Sequence, residues 1–220
     1  MSGASGADFG QGQQAQGIHM KRIGKAAWAA GFAALCLSGC ATQEDVVPVP
    51  YKVHGGAQTG AGHAVALTVT DARTQDRTKI ANKSNAYGME MAAIRADRAV
   101  TAIVQDAFEA ELKSRGFSIG GGGANASVAI NRFYTTFQAQ GAMGDVKLHV
   151  SVTPAGGAEI YDREIDVMGI EPSVFWTVGN NASAALSDGM SKAFDVLFSD
   201  PAFLAALEKG GSSSDIKAGS

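Results

Sequence analysis

The sequence predicts an α+β fold, an antiparallel sheet with helices packed on one face, and three observations carry that expectation. Val146, Leu148, Val150 and Val152 alternate with Lys147, His149, Ser151 and Thr153, the period of a strand with one buried face. Across residues 96–115, Val100, Ile103, Val104, Ala107, Phe108 and Leu112 recur at helical spacing and form one apolar stripe. The segments also come in blocks: strands, one helix, three more strands, then two closing helices. That order suits helices layered on one side of a sheet.

Taken in order, Val65, Leu67 and Val69 alternate with small or polar residues and read as a first strand. A polar connection over 71–77 follows, and residues 79–94 hold one or two weakly patterned strands. The helix over 96–115 has Asp97 near its start and Lys113 and Arg115 near its end, as the helix dipole favours. Glu109 can pair with Lys113 one turn later, and Gly116 is a natural stop.

After Phe117 and the glycines at 120–123 comes a long strand over 127–138. Its parity breaks between Ile130 and Phe133, which predicts a bulge. Residues 146–153 form the next strand, 154–157 a turn, and Tyr161, Ile165 and Val167 oppose Asp162, Glu164 and Asp166 on the strand after it. These three strands should make an antiparallel meander. A second helix is expected from Asn180 or Asn181, either of which can cap it, with Leu186, Met190, Ala193, Phe194 and Leu197 facing the sheet. Asp200-Pro201 reads as a cap followed by proline at the first helical position of a short helix that ends near Gly210.

The ends of the chain have a different character. Residues 1–19 are polar and rich in glycine and glutamine, too poor in apolar side chains to offset their ordering entropy. This extension points to Met20 as the functional start. From there Lys21, Arg22 and Lys25 precede an apolar stretch over 26–37, too short for a transmembrane helix and suited to a signal peptide spanning 20–39. Residues 40–62, with Pro48, Pro50 and several glycines, read as a flexible tether, although Val46, Val47, Val49 and Tyr51 can instead dock as an edge strand. The α+β domain is then 63–210, and 211–220 is a flexible tail.

The apolar stretch closes on Leu37-Ser38-Gly39-Cys40, which resembles the lipobox of bacterial lipoproteins. Small Ser38 and Gly39 suit a narrow peptidase site, Leu37 supplies an apolar anchor, and only a thiol offers the sulfur that takes a diacylglyceryl thioether. Cleavage after Gly39 leaves Cys40 lipidated and removes Cys36, the one other cysteine, so the mature chain holds no thiol. A redox pair or a metal site needs both thiols retained, and a metal site needs further ligands. Removing the leader leaves 15 basic and 20 acidic residues, which argues against a nucleic-acid binder. Ala41, in place of an aspartate, resembles the pattern of lipoproteins sent to the outer membrane of diderm bacteria.

The strand at 64–71, the run over 97–119 with Arg115-Gly116-Phe117 near its end, and the strand with Asn131-Arg132-Phe133-Tyr134 together resemble the YajG family of small bacterial lipoproteins. The resemblance implies an envelope-associated domain without an established enzymatic activity, and it transfers no catalytic residue. The residues themselves form no coherent catalytic set. The glycines at 120–123 lack the Gly-Lys-Ser/Thr ending of a P-loop and lead into a strand. Ser187 has no nucleophile-elbow pattern, and Asp162, Glu164 and Asp166 read as the solvated face of a strand.

Two pairs are candidate contacts for a ligand or partner. Arg73 can grip a carboxylate or phosphate while Asp71 fixes its loop, though a structural salt bridge is the simpler reading. Phe175 and Trp176 are the second pair, with packing at the core edge the simpler reading. No cofactor or metal is expected. The functional expectation is a non-enzymatic, lipid-anchored envelope module held to the membrane through acyl chains on Cys40 and working with an envelope protein partner. A binder of a small cell-wall, glycan or lipid ligand is the alternative.

Overall fold

The computed structural model of the chain describes residues 42–139, 141–172 and 178–211. Its strands are β1 (Asp45–Val47), β2 (Ala64–Asp71), β3 (Lys79–Ser84), β4 (Glu90–Ala96), β5 (Ser118–Ile119), β6 (Ala124–Gln138), β7 (Gly141–Thr153) and β8 (Tyr161–Glu171). Its helices are α1 (Val100–Ser114), α2 (Val178–Phe198) and α3 (Pro201–Gly211). The strands make a five-stranded sheet in the order β5-β2-β6-β7-β8 and a three-stranded sheet in the order β1-β4-β3. The fold is α+β, and all three helices pack against the inner face of the larger sheet.

The antiparallel meander β6-β7-β8 forms as the alternation requires, with Val146, Leu148, Val150 and Val152 fully buried. The bulge falls where parity breaks. The register of β6 on β7 shifts between Ile130 and Arg132, so that Ile130 and Phe133 both face the core. Asn131 and Arg132 are left exposed between them. Beyond the meander the sheets are mixed rather than antiparallel throughout. β2 runs parallel to both β5 and β6, and β1 runs parallel to β4. Parallel neighbours need a long crossover, here the passage through β3, β4 and α1.

Residues 40–62 read as a tether from which Val46, Val47, Val49 and Tyr51 can dock as an edge strand, and the docked reading holds from Asp45 onward, where the chain is laid against the domain. Asp45–Val47 adds the edge strand β1, and the amide of Asp97 donates to the Val47 carbonyl at 3.0 Å. Val47 and Val49 are buried while Val46, Pro48 and Pro50 face outward. Both prolines, which have no N–H to satisfy, thus sit on the solvent side of an extended run. Further on, the amides of Gly60 and Gly62 donate to the carbonyls of Arg115 and Gly116 at the end of α1, both at 2.9 Å.

Two helix starts differ from expectation. α1 begins at Val100, because Asp97 is spent on β1 and lies outside the first turn. α2 begins at Val178, so Asn180 and Asn181 are helical residues and not its cap. The C-terminus of α1 is as expected, with Gly116 at φ +85. Asp200 caps α3 through the amide of Ala202 at 2.9 Å, and its carboxylate also takes bonds from the Tyr161 hydroxyl at 3.0 Å and Arg163 at 2.8 Å, tying α3 to β8. Burial and that bond to Asp200 push the Tyr161 hydroxyl up to about 12.

The three helices meet at Phe108, whose ring lies 5.4 Å from Phe194, 5.3 Å from Phe198 and 6.2 Å from Phe203 in edge-on or tilted contacts. α2 comes closest to the sheet where Gly144 of β7 and Gly169 of β8 face Ala185 and Gly189. A Cβ on Gly169 would stand 2.0 Å from the Ala185 carbonyl oxygen, and one on Gly144 would stand 2.4 Å from the same atom. Beside this contact, Asp188 accepts from the amide of Ile170 at 2.9 Å and Lys192 donates to the Met168 carbonyl at 3.2 Å. The outer edge of β8 is thereby latched by an Asp188–Lys192 ion pair.

The close approach of α2 gives a direct test. Gly169→Ala forces backbone apart in the core and should cost on the order of 1–3 kcal/mol, the usual range for overpacking, read as a lower urea midpoint. Gly157→Ala, whose Cβ would meet only the Pro154 ring at 3.4 Å, should leave the midpoint nearly unchanged.

Candidate functional site

Asp71 ends β2 and Arg73 stands two residues on, where the chain turns from the five-stranded sheet toward β3. Arg73 Nε and Nη2 grip the two Asp71 oxygens, both at 2.8 Å. Nη1 donates to the carbonyls of Lys79 on β3 and Phe133 on β6, and Nη2 also reaches the Arg77 carbonyl, all at 3.1 Å. All five N–H groups of the guanidinium therefore have acceptors. The Arg73 side chain is 3% exposed and that of Asp71 8% exposed. Burial pushes the Asp71 carboxyl up, but the bonds and charge of Arg73 outweigh it and hold the group below its usual range. The pair clasps the two sheets together and has no unspent donor for an outside carboxylate or phosphate.

A second buried polar cluster was not visible in the sequence. Glu111, on the inner side of α1, is 1% exposed. One carboxylate oxygen accepts from the Tyr51 hydroxyl and from the His54 amide at 2.7 Å, and the other is paired with Arg115 one turn later. Arg115 in turn lies over the Phe198 ring, 4.3 Å from its centroid. His54 Nδ1 meets the Asp195 carboxylate at 2.6 Å, and Tyr51 packs edge-on against Phe194 at 5.1 Å. Burial pushes Glu111 up, yet the three donors prevail and its carboxyl is held below the usual range. Burial and Glu111 together push the Tyr51 hydroxyl far up. The one available signal was Glu111 standing beside the apolar stripe with Arg115 four residues on. A general acid or base works best with a pKa near the operating pH, and Asp71, Glu111 and Tyr51 are all driven away from neutrality.

On the open face of the sheet, Asp162, Glu164 and Asp166 are exposed, as expected, and are paired across the strands. Lys147 meets Glu164 at 2.8 Å and Asp166 at 3.5 Å, and His149 Nε2 meets Asp162 at 2.9 Å. Asp145 pairs with Arg132 at 3.0 Å, and partial burial raises its carboxyl. Among the described residues, no group of three or more His, Cys, Asp or Glu is placed to hold a metal ion. The glycines at 120–123 connect β5 to β6, and a Cβ on Gly123 would stand 1.9 Å from the Ala64 carbonyl oxygen, so this loop is shaped by its contact with β2. Leu37, Ser38, Gly39 and Cys40, like Phe175 and Trp176, lie outside the described residues.

The model of the family described as uncharacterized lipoprotein, Lipoprotein_16, matches residues 54–208, from His54 of the buried cluster to the last turns of α3. The chain belongs to this YajG-type lipoprotein family. The family match spans both polar clusters except Tyr51, and β1 lies ahead of it. No curated protein matches this Lipoprotein_16 chain. Among solved structures, a Xanthomonas campestris protein of the DUF330 family is similar at a TM-score of 0.58 and 13% identity, covering 73% of this chain and 96% of that one. That likeness is one of fold. A Neisseria meningitidis lipoprotein, GNA1162, aligns at a TM-score of 0.37 and 9% identity over 63% of this chain and 99% of its own. Among the described residues no helix is long and apolar enough to cross a membrane.

Two outcomes test the clusters. Arg73→Ala strands a buried carboxylate and should cost about 3–5 kcal/mol, whereas Arg132→Ala, an exposed side chain whose partner Asp145 keeps access to water, should cost about 1 kcal/mol or less, both read by urea denaturation. The folded-state carboxyls of Asp71 and Glu111 lie below their unfolded values, so their stabilisation is complete above the unfolded pKa and is lost as pH falls through the folded one. The urea midpoint should hold from neutrality down to about pH 5 and drop below about pH 4, and Asp71→Asn should make that drop shallower.

Proposed function

We propose that this YajG-type lipoprotein is a non-enzymatic accessory module of the cell envelope, anchored by acyl chains on Cys40 to the periplasmic side of the outer membrane of a diderm bacterium. One observation carries the reading. A basic segment, a short apolar run and Leu37-Ser38-Gly39-Cys40 stand in that order ahead of a domain matched by a lipoprotein family. Several acyl chains hold a protein stably, since each buried methylene contributes about 0.8 kcal/mol. The domain's ionised groups support a role in binding rather than chemistry. The most buried of them, Arg73 and Glu111, are spent on internal bonds, and the open face is a ladder of cross-strand pairs. The lipid then sets where the domain works, and its surface meets an envelope protein partner.

Mass spectrometry of the mature N-terminus should find a diacylglyceryl group on Cys40 and no residue ahead of it. Cys40→Ser should abolish that mass and leave the leader attached, so that the chain persists as a longer, unacylated precursor. In-cell crosslinking should give discrete partner adducts with the native chain that are lost in the variant. An unmodified thiol at position 40 with the leader intact would defeat the anchoring.

A further inference from the structure

The hairpin between β3 and β4 ends in a turn over 85–89, Asn-Ala-Tyr-Gly-Met, without a charged residue. Two large apolar side chains stand out of it, and a third stands beside it on β4. Tyr87 is 88% exposed, Met89 59% and Met91 38%. Their exposure is held in place by the turn. The Asn85 side-chain oxygen accepts from the amides of Tyr87 at 2.9 Å and Met89 at 3.0 Å, and the Asn85 backbone N–H donates to the Met89 carbonyl at 3.0 Å. Gly88, at φ +78, supplies the left-handed position the turn needs. A rigid tip that presents a tyrosine and methionines without charge is costly to leave in water and suits the boundary between headgroups and acyl chains.

The path of the N-terminal segment says what this tip meets. β1 runs parallel to β4 with Asp45 opposite Ile94 and Val47 opposite Ala96, so the chain traced back from Asp45 heads toward Glu90 and the hairpin turn. Lys83, paired across the hairpin with Ala92, donates to the Gln43 carbonyl at 2.9 Å and to Asp45 at 2.8 Å. Gln43 therefore lies near the Lys83–Ala92 row. Cys40 is three residues ahead of Gln43, a reach of at most about 10 Å. The tip extends roughly three residues beyond the same row, again about 10 Å. Gln43 and the exposed side chains thus lie at one end of the domain, and three residues of chain to Cys40 are too few to lift that end far from the bilayer.

We propose that the β3–β4 tip is a second membrane contact, with Tyr87 and Met89 seated in the interface of the bilayer that holds the lipid on Cys40. The proposal rests on the anchoring of Cys40 and adds an orientation: the domain stands on its three-stranded sheet. The occupant is a lipid surface. Lys83 is already paired with Asp45, and the exposed carboxylate beside Met89, Glu90, disfavours anionic headgroups, so the apolar side chains and not a cation make the contact.

The test uses the lipidated full chain in phosphatidylethanolamine–phosphatidylglycerol vesicles, with a nitroxide on Met89→Cys or, as the control, on Ile160→Cys in the β7–β8 turn. The mature chain has no competing thiol once Cys40 is acylated. Collisions with oxygen and with a water-soluble nickel chelate report depth. At position 89 the oxygen-to-nickel ratio should be severalfold higher in vesicles than in the same variant made as a soluble chain that begins at Ala41, without the leader, Cys36 or Cys40. At position 160 the two forms should agree. A label at 89 that stays as open to nickel in vesicles as in solution, on a chain whose mass shows the acyl group, overturns the contact and leaves the anchor standing. A chain without the acyl group overturns both, and the mass distinguishes the cases. Shielding at 89 that arises only when envelope proteins are added overturns the membrane assignment in favour of a protein partner.

Discussion

The two sheets of this domain are joined around a single buried guanidinium. Arg73 has no water to turn to, so each of its N–H groups must find an acceptor inside the protein, and the acceptors come from three places in the chain. Asp71 belongs to β2, Arg77 and Lys79 to the approach to β3 and its first residue, and Phe133 to β6 just past the bulge. Unless all three arrive together, a charge is buried without its partners, which costs more than most single contacts contribute. The bulge takes part in this arrangement. It lets β6 keep Ile130 and Phe133 inward on either side of the irregularity while the Phe133 carbonyl is turned to the arginine.

A second constraint is steric. α2 lies on β7 and β8 with its backbone almost touching theirs, an approach open only to glycine at 144 and 169. The same helix carries Phe194 to the aromatic centre at Phe108 and Asp195 to His54, so it connects the sheet, α1 and the N-terminal segment. Glu111 works from the α1 side. By accepting from Tyr51 and the His54 amide it converts a proline- and glycine-rich stretch into part of the wall of the domain.

What was legible in the sequence follows the range of the physics behind each feature. The meander, the bulge, the apolar stripe of α1, its stop at Gly116 and the Asp200-Pro201 start of α3 depend on residues a few positions apart, and all are found in the structure. The Asp71–Arg73 pair was legible as a local contact, but its acceptors at Lys79 and Phe133 were not, since only the folded chain brings them together. Residues 40–62 read as a tether because Pro48, Pro50 and the glycines there are common in linkers, with an edge strand at Val46, Val47, Val49 and Tyr51 as the other reading. Their docking depends on Val47, Val49 and Tyr51 finding surfaces up to 60 residues or more away. The parallel pairing of β2 with β6 was hidden for the same reason, as alternation marks a strand without choosing its neighbour.

The latch of Asp188 and Lys192 on the rim of β8 takes on a particular weight for a chain tied to a bilayer. Confinement to a plane raises the frequency of encounters between copies, and a shared upright orientation would present matching rims to one another. A bare strand in that geometry would zip laterally into ribbons. By occupying the Ile170 amide and the Met168 carbonyl from within, α2 withdraws that stretch of the rim from such pairing.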